Sequence, residues 1–378
     1  GVEDPLLIGG GAAAVTLTPD RVVSLPDALR NAGLEVLLAR GSRGDRPLPP
    51  VPPSAFRLPD GSGPGVEVTF GSPTGTWTEH LPDIDHAVDL ADPLGHWPHR
   101  WVTRIVPEAT GPHRLSLTLG GSATLCLDGR VILSGERETE RFIEGPHYPL
   151  ETTVQLTAGV ETELTIDFAP GPAIVIPPFG CGPTLRLGWQ PPSDLVAQAA
   201  AVAAAADVAV VFVESAAGEG MDRSGIALAG DQDALVSAVA AANPATVVVM
   251  NVPGAVLTPW SNEVAALLTV WFPGEGFAPA LTDVLLGVVE PGGRLPVTFP
   301  RRRSDLPGAG PGTFVPLILD YDADGDVGYR TAAVLSDGAA WPFGFGLGYA
   351  PTSATAVAGP EPGEVRITAV NHGDRDTM

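Results

Sequence analysis

The sequence predicts an α/β protein built on a mostly parallel sheet with helices on both faces, an α/β sandwich, interrupted by an inserted antiparallel β-sandwich. Three observations carry that prediction. Asp207 to Glu214, DVAVVFVE, is a near-continuous, Val-rich apolar run, the pattern of a strand buried on both faces under helices. From residue 193 onward, helix-like and strand-like stretches alternate at the spacing of right-handed crossovers. Between residues 54 and 190 the period drops to two, in short runs broken by Gly, Pro and the hairpin pair Asp128-Gly129.

Taken in order, residues 1–48 open with Gly9, Gly10 and Gly11, which lack both a preceding strand and a Lys-Ser/Thr pair and so form no phosphate cradle. SLPDALRNAG follows as a helix, with Leu25, Ala28 and Leu29 at helical spacing and Gly33 as its stop; LEVLLARG reads as a strand. A Pro-rich stretch leads into residues 49–192, the all-β block, where VEVTF, RWVTRIV, RLSLTL, TTVQLTAG and TLRLGWQ alternate apolar and polar positions. Residues 193–350 return to α/β rhythm. A helix begins at Asp194 with Ser193 as its cap, and DQDALVSAVAAAN is a helix with Leu235, Val239 and Ala240 inward. ATVVVMN is a strand, NEVAALLTVW a helix running into a strand, and FAPALTDVLLG a helix whose first turn suits Glu275. Residues 1–48 are too few to make a core, so they belong with 193–350, and 49–192 is an insertion whose ends lie close together.

Composition narrows the function classes. The chain has 378 residues, enough for two or three domains, and 44% are hydrophobic. A net charge of -23 repels nucleic-acid phosphates. No apolar run is long enough to span a bilayer. Every cation is Arg and none is Lys, the usage of a GC-rich, actinobacterial type of genome; the compartment, secreted or cytoplasmic, stays open. Cys126 and Cys181 are too few for a zinc site or a disulfide framework, and either one disulfide or two buried free thiols fits. No His falls in a Ser-His-Asp order, and no metal or cofactor is expected.

The chemistry concentrates where the Val-rich strand ends, since ligands of such sheets bind at the carboxyl ends of strands. Glu214 closes the strand, and the loop that follows runs to Gly218, Glu219, Gly220, Met221, Asp222 and Arg223. Gly on either side leaves Glu219 unshielded, the way a carboxylic acid is presented to a ligand, while Asp222 and Arg223 are placed to pair and shape the loop.

This E-G-x-D-R loop resembles the acid/base loop of family 3 glycoside hydrolases, the β-glucosidase-like enzymes. The likeness extends through VVVMNVPGAVLTPW, WFPGEGFAPALTDVLLG, PGGRLPVTFP, DVGYR and WPFGFGLGYA, in the family's order and spacing. In these blocks Trp260 and Trp271 read as core plugs and the Gly and Pro residues as turn formers. The all-β block resembles a PA14 domain, through RW, the LCLDGR hairpin and the last strand LRLGWQPP with Trp189. It lacks the paired aspartates of calcium-binding lectin members. Residues 351–378 resemble the opening strands of a fibronectin type III-like domain.

The resemblance implies a retaining exo-acting β-glycosidase of the β-glucosidase type, in which a carboxylic acid protonates the departing oxygen and a carboxylate attacks the anomeric carbon. Glu219 takes the acid/base role and Glu214 a substrate-binding one. The nucleophile is an Asp on a (β/α)8 barrel domain, which this chain lacks and would have to meet upstream or on another chain, so that the chain alone is expected to be inactive. A PA14 insertion leaning over the site would favour short, aryl or natural-product glycosides. The alternative is a non-catalytic carbohydrate-binding or structural module.

Overall fold

The computed structural model describes residues 22–44, 48–87, 97–137, 149–172, 174–176, 179–181, 184–215, 225–305, 328–330 and 339–375. Helix α1 (Leu25–Asn31) starts and stops where local rules place it. The Ser24 hydroxyl accepts the Asp27 N–H at 3.2 Å, and Gly33 leaves the helix at φ +90°. The LEVLLARG stretch differs from expectation. It joins no ladder among the described residues, and Leu34, Leu37 and Leu38 are exposed. A strand needs a neighbour as well as propensity, and the described sheet supplies none there.

Strands β1 (Phe56–Arg57), β2 (Val66–Ser72), β3 (Gly75–Leu81), β4 (Asp85–Ala87), β5 (His99–Ile105), β6 (Gly111–Leu119), β7 (Gly121–Leu127), β8 (Arg130–Arg137), β9 (Leu150–Leu156), β10 (Thr162–Pro170), β11 (Ile174–Ile176), β12 (Phe179–Cys181) and β13 (Thr184–Gln190) follow. They pair antiparallel into one sheet ordered β3-β2-β5-β10-β7-β8, with β1 on β5, a second ordered β4-β13-β6-β9, and the small pair β11-β12. Alternate residues point inward. Trp101, Phe168 and Leu125 of the first sheet meet Leu115, Leu117 and Leu187 of the second in one core. Each such side chain contributes about 1.5–3 kcal/mol by leaving water. The outward face carries cross-strand pairs such as Arg100 with Asp167 at 2.7 Å, exposed and therefore worth little.

The β7–β8 hairpin turns at Asp128 and Gly129, with φ +45° and +73°, the left-handed pair that a two-residue loop requires. The two ends of the block lie side by side, the Val51 N–H donating to the Leu187 carbonyl and the Trp189 N–H to the Pro49 carbonyl. Gly188 permits that approach, since a Cβ there would stand 2.3 Å from Ser116 Oγ. Cys126 is a free thiol and only half buried, where full burial was expected. The side chain of Cys181 lies outside the described residues.

Helix α2 (Leu195–Ala204) is capped by Asp194 and not by Ser193: the carboxylate accepts the Ala197 N–H at 2.9 Å, while the Ser193 hydroxyl accepts from Gln190. Strand β14 (Ala209–Glu214), helix α3 (Gln232–Ala242), strand β15 (Thr246–Asn251), strand β16 (Ala266–Thr269) and helix α4 (Phe277–Leu285) complete the layer. The three strands are parallel, ordered β14-β15-β16. Val211, Val213, Val248 and Met250 pack under α2 and α3, whereas Val210, Phe212, Val247 and Val249 pack under α1 and α4. Helices therefore cover both faces of this sheet.

The expectation of a mostly parallel sheet does not hold for the chain: among the described residues only this three-stranded sheet is parallel, and the others are antiparallel. NEVAALLTVW also differs. Residues 261–265 are turns, with the Glu263 N–H on the Trp260 carbonyl, because too few residues separate Trp260 from Ala266 for a helix. Short pairs β17 (Phe299–Pro300) with β18 (Ala339–Trp341) and β19 (Thr352–Ala358) with β20 (Val365–Asn371) end the fold. No described helix is long and apolar enough to cross a membrane.

Candidate active site

The parallel strands end together. Glu214 and Asn251 are register partners at the last positions of β14 and β15, and the Val270 N–H, just past β16, donates to the Met250 carbonyl. Glu214 is held through its backbone by one buried side chain. The Gln232 amide oxygen accepts the Glu214 N–H at 2.7 Å, and its nitrogen donates to the Glu214 and Ala229 carbonyls at 2.9 and 3.0 Å. Gln232 opens α3, so this clamp fixes the strand end to the helix that follows it in sequence.

The loop before the sandwich closes over the same corner. Gly44, at φ +58°, comes so near that a Cβ there would lie 3.5 Å from Glu214 Oε1, and the Ser42 hydroxyl donates to Asp231 at the head of α3. A Cβ at position 44 would make ordinary contact with the carboxylate, and it is the positive φ that favours glycine there. Nearby in sequence, the Nε of Arg43 is buried with no hydrogen-bond partner among the described residues; burial, then Arg40 and Arg114, holds its guanidinium below the ordinary arginine value.

Asn251 joins the two outer strand ends. Its carbonyl accepts the Ser215 N–H at 3.2 Å, and its side-chain amide donates to the Trp271 carbonyl. Trp271 has φ +51°, a left-handed conformation that costs a bulky residue about 1–2 kcal/mol, and its ring leans on Phe299 with centroids 6.2 Å apart. Trp260 is buried as expected, its indole N–H donating to Asp233 at 2.8 Å. Trp271 is partly buried against the same core. Glu275 lies just ahead of Gly276, the cap of α4.

Of the residues predicted for the site, Glu214 stands at the strand end described above. Glu219, Asp222 and Arg223 lie outside the described residues. The flanks of their loop are described, and both dock on one segment: Ser215 on Asn251, and the Ile226 carbonyl on the Leu257 N–H at 2.8 Å. Sequence reasoning missed Gln232 and Asn251. The signal for Asn251 was a polar residue closing an apolar strand in step with Glu214; Gln232, just inside a helix start, carried none. A separate crevice of about 520 Å3, lined by Pro112, Arg114 and Gln190 to Asp194, lies where the sandwich meets α2. It is not at these strand ends.

The carboxyl ends of parallel strands are where open α/β sheets generally place their ligands. Residues 2–349 match the glycosyl hydrolase family 3 C-terminal domain, and the chain belongs to that family. It is 32% identical over 316 residues to a β-glucosidase of Rhizobium radiobacter, covering 78% of this chain and 37% of that protein. It is 31% identical over 393 residues to β-glucosidase B of Emericella nidulans, covering 92% of this chain and 44% of the relative. The chain thus spans less than half the length of these relatives.

Among solved structures, the β-glucosidase of Kluyveromyces marxianus in complex with glucose shares the fold, with a TM-score of 0.63 at 24% identity over 99% of this chain and 48% of that one. DesR, a β-glucosidase of Streptomyces venezuelae in complex with D-glucose, aligns with a TM-score of 0.57 at 26% identity over 97% of this chain and 43% of that one.

Proposed function

We propose that this chain supplies the general acid/base of a retaining exo-β-glycosidase of the β-glucosidase type, acting on terminal β-linked sugars of short, aryl or natural-product glycosides. The observation that carries the reading is the tied set of strand ends around Glu214, Asn251 and Trp271, from which the Glu219 loop departs, in a chain of family 3. In this reading Glu219 donates its proton to the glycosidic oxygen as the bond to the anomeric carbon breaks, and the bonding pair leaves on that oxygen. A carboxylate of a barrel domain outside this chain forms the glycosyl-enzyme about 5–5.5 Å away. Glu219, now ionised, takes a proton from the water that releases the sugar.

Glu214 borders the sugar, and Asp222 with Arg223 shapes the loop. Residues 1–48 and 193–350 form one catalytic-side domain, 49–192 a PA14-like insertion, and 351–378 the start of a fibronectin type III-like domain.

The test compares Glu219→Ala with Glu214→Ala in the enzyme that combines this chain with the barrel, on dinitrophenyl and alkyl β-glucosides. Loss of the acid should slow the alkyl glucoside roughly 100 to 10,000-fold yet spare the first step for dinitrophenolate, which departs unprotonated. Azide should rescue Glu219→Ala by attacking the glycosyl-enzyme without a base, giving a β-glycosyl azide. If rescue and leaving-group dependence follow Glu214 instead, the role moves there. The chain alone should turn over no aryl glucoside; turnover abolished by Glu219→Gln would remove the need for a barrel.

A further inference from the structure

We infer that Asn251 is a positioning residue for the acid/base, acting through the strand ends and not on substrate. The inference rests on the acid/base reading above, and two contacts of Asn251 and one of the segment that follows it point to it. Its carbonyl receives the N–H of Ser215, the last described residue before the Glu219 loop. Its side chain donates to the carbonyl of Trp271, one of the two described residues other than glycine at positive φ. Its segment also receives the far flank of the loop, through Leu257 and Ile226.

One residue thus ties the exits of β14 and β16, through its carbonyl on one side and its side-chain amide on the other, and lends a donor to a backbone conformation that a bulky residue does not adopt readily. Strain of this kind persists only where the surroundings over-determine it. Here the over-determining group is the same residue that anchors the loop entrance. Without the amide donor, Trp271 is free to relax, the exit of β16 shifts against β15, and the platform under Ser215 moves with it.

A misplacement of about 1 Å at a proton donor lowers the rate by roughly 100-fold. The loss falls on the step that needs the proton, so it must depend on the leaving group, which a general weakening of the fold does not produce. The experiment places Asn251→Ala and Asn251→Asp in the enzyme joined to its barrel, beside Glu219→Ala as reference. Asn251→Asp keeps the shape and removes the donor. Both variants should hydrolyse an alkyl β-glucoside about 100-fold more slowly, with kcat and not KM carrying the change, while the dinitrophenyl glucoside stays near the parent rate. Amide exchange at Ser215 should accelerate in both.

Equal slowing of the two substrates, or none, overturns the inference while leaving Glu219 in place. Two variants too unstable to assay at 25 °C would likewise overturn it, by assigning Asn251 to folding alone. A Glu219→Ala reference without leaving-group dependence would sink the acid/base reading itself, and the inference with it.

Discussion

Replacing Gln232 tests whether the end of β14 is held by one side chain. Gln232 is 2% exposed and makes three hydrogen bonds to main-chain groups, two of them to Glu214. Gln232→Leu keeps most of the volume and removes all three. At about 1 kcal/mol for each orphaned group, the low end of the range because the strand end is only part-buried, the loss is about 3 kcal/mol. Gln232→Glu is the sharper probe. The introduced carboxylate still accepts the Glu214 N–H but faces the Glu214 and Ala229 carbonyls without a proton to donate. Its folded-state pKa must therefore rise above the unfolded value. A raised pKa contributes stability that is present below the unfolded value and lost as pH rises through the folded one. This variant should thus be nearly as stable as the parent near pH 4 and markedly weaker near pH 7. The assay is urea unfolding followed by helical circular dichroism; all four described α-helices lie outside the sandwich, so the signal reports the α/β layer. A Gln232→Leu midpoint corresponding to less than about 1 kcal/mol of loss, or a Gln232→Glu deficit independent of pH, would refute the clamp.

Three further outcomes follow from particular contacts. His113 is fully buried, receives the Trp189 indole N–H at Nδ1 at 2.9 Å and bonds the Ala109 carbonyl through Nε2 at 2.8 Å, which fixes the Nε2–H tautomer. His113→Phe should lower sandwich stability by about 2–4 kcal/mol in thermal or urea unfolding, since it orphans a donor and an acceptor. Burial, and then Glu290, raises the Tyr349 phenol above its ordinary value of 10.0 against the pull of Arg375. Its contribution is complete below pH 10.0 and lost as pH rises through the raised folded value, so above pH 10.0 the parent's melting temperature should fall faster than that of Tyr349→Phe. Replacing Pro50 to Pro192 by a short Gly-Ser linker should leave a cooperative helical transition, because the block carries its own core and its ends meet at Val51 and Leu187. Loss of all folded structure would show that the boundaries are misplaced.

What the sequence made legible was local. Asp128-Gly129 announces a hairpin because only a few residues accept two successive positive φ values, and Gly33 marks the end of α1 because a left-handed residue after a helix favours glycine. The Val-rich run over β14 was legible because burial on both faces leaves no polar position until the strand ends at Glu214. Where two local solutions compete, the sequence does not choose: Ser193 and Asp194 can both cap a helix, and a hydrogen bond from Gln190 engages the serine. The apolar LEVLLARG and the segment before Ala266 misled because strand and helix depend on ladders and chain length set elsewhere.

The site follows the same division. Glu214 stood out as an acid ending an apolar strand, but the groups that hold it and its loop come from 18 residues downstream at Gln232 and from the neighbouring strand at Asn251. Both act through the backbone, which carries no sequence signature. A retaining glycosidase needs its two carboxylates about 5–5.5 Å apart, so a loop that carries one of them must be positioned to a fraction of that distance. Glycine on either side of the acid supplies no such precision by itself. In the proposed reading the requirement is met at the loop's roots, where main-chain bonds of Ser215 and Ile226 converge on one segment, from Asn251 at the end of β15 to Leu257 beyond it. If the acid belongs to the loop, its accuracy belongs to that segment, and substitutions there should alter catalysis without touching the sugar.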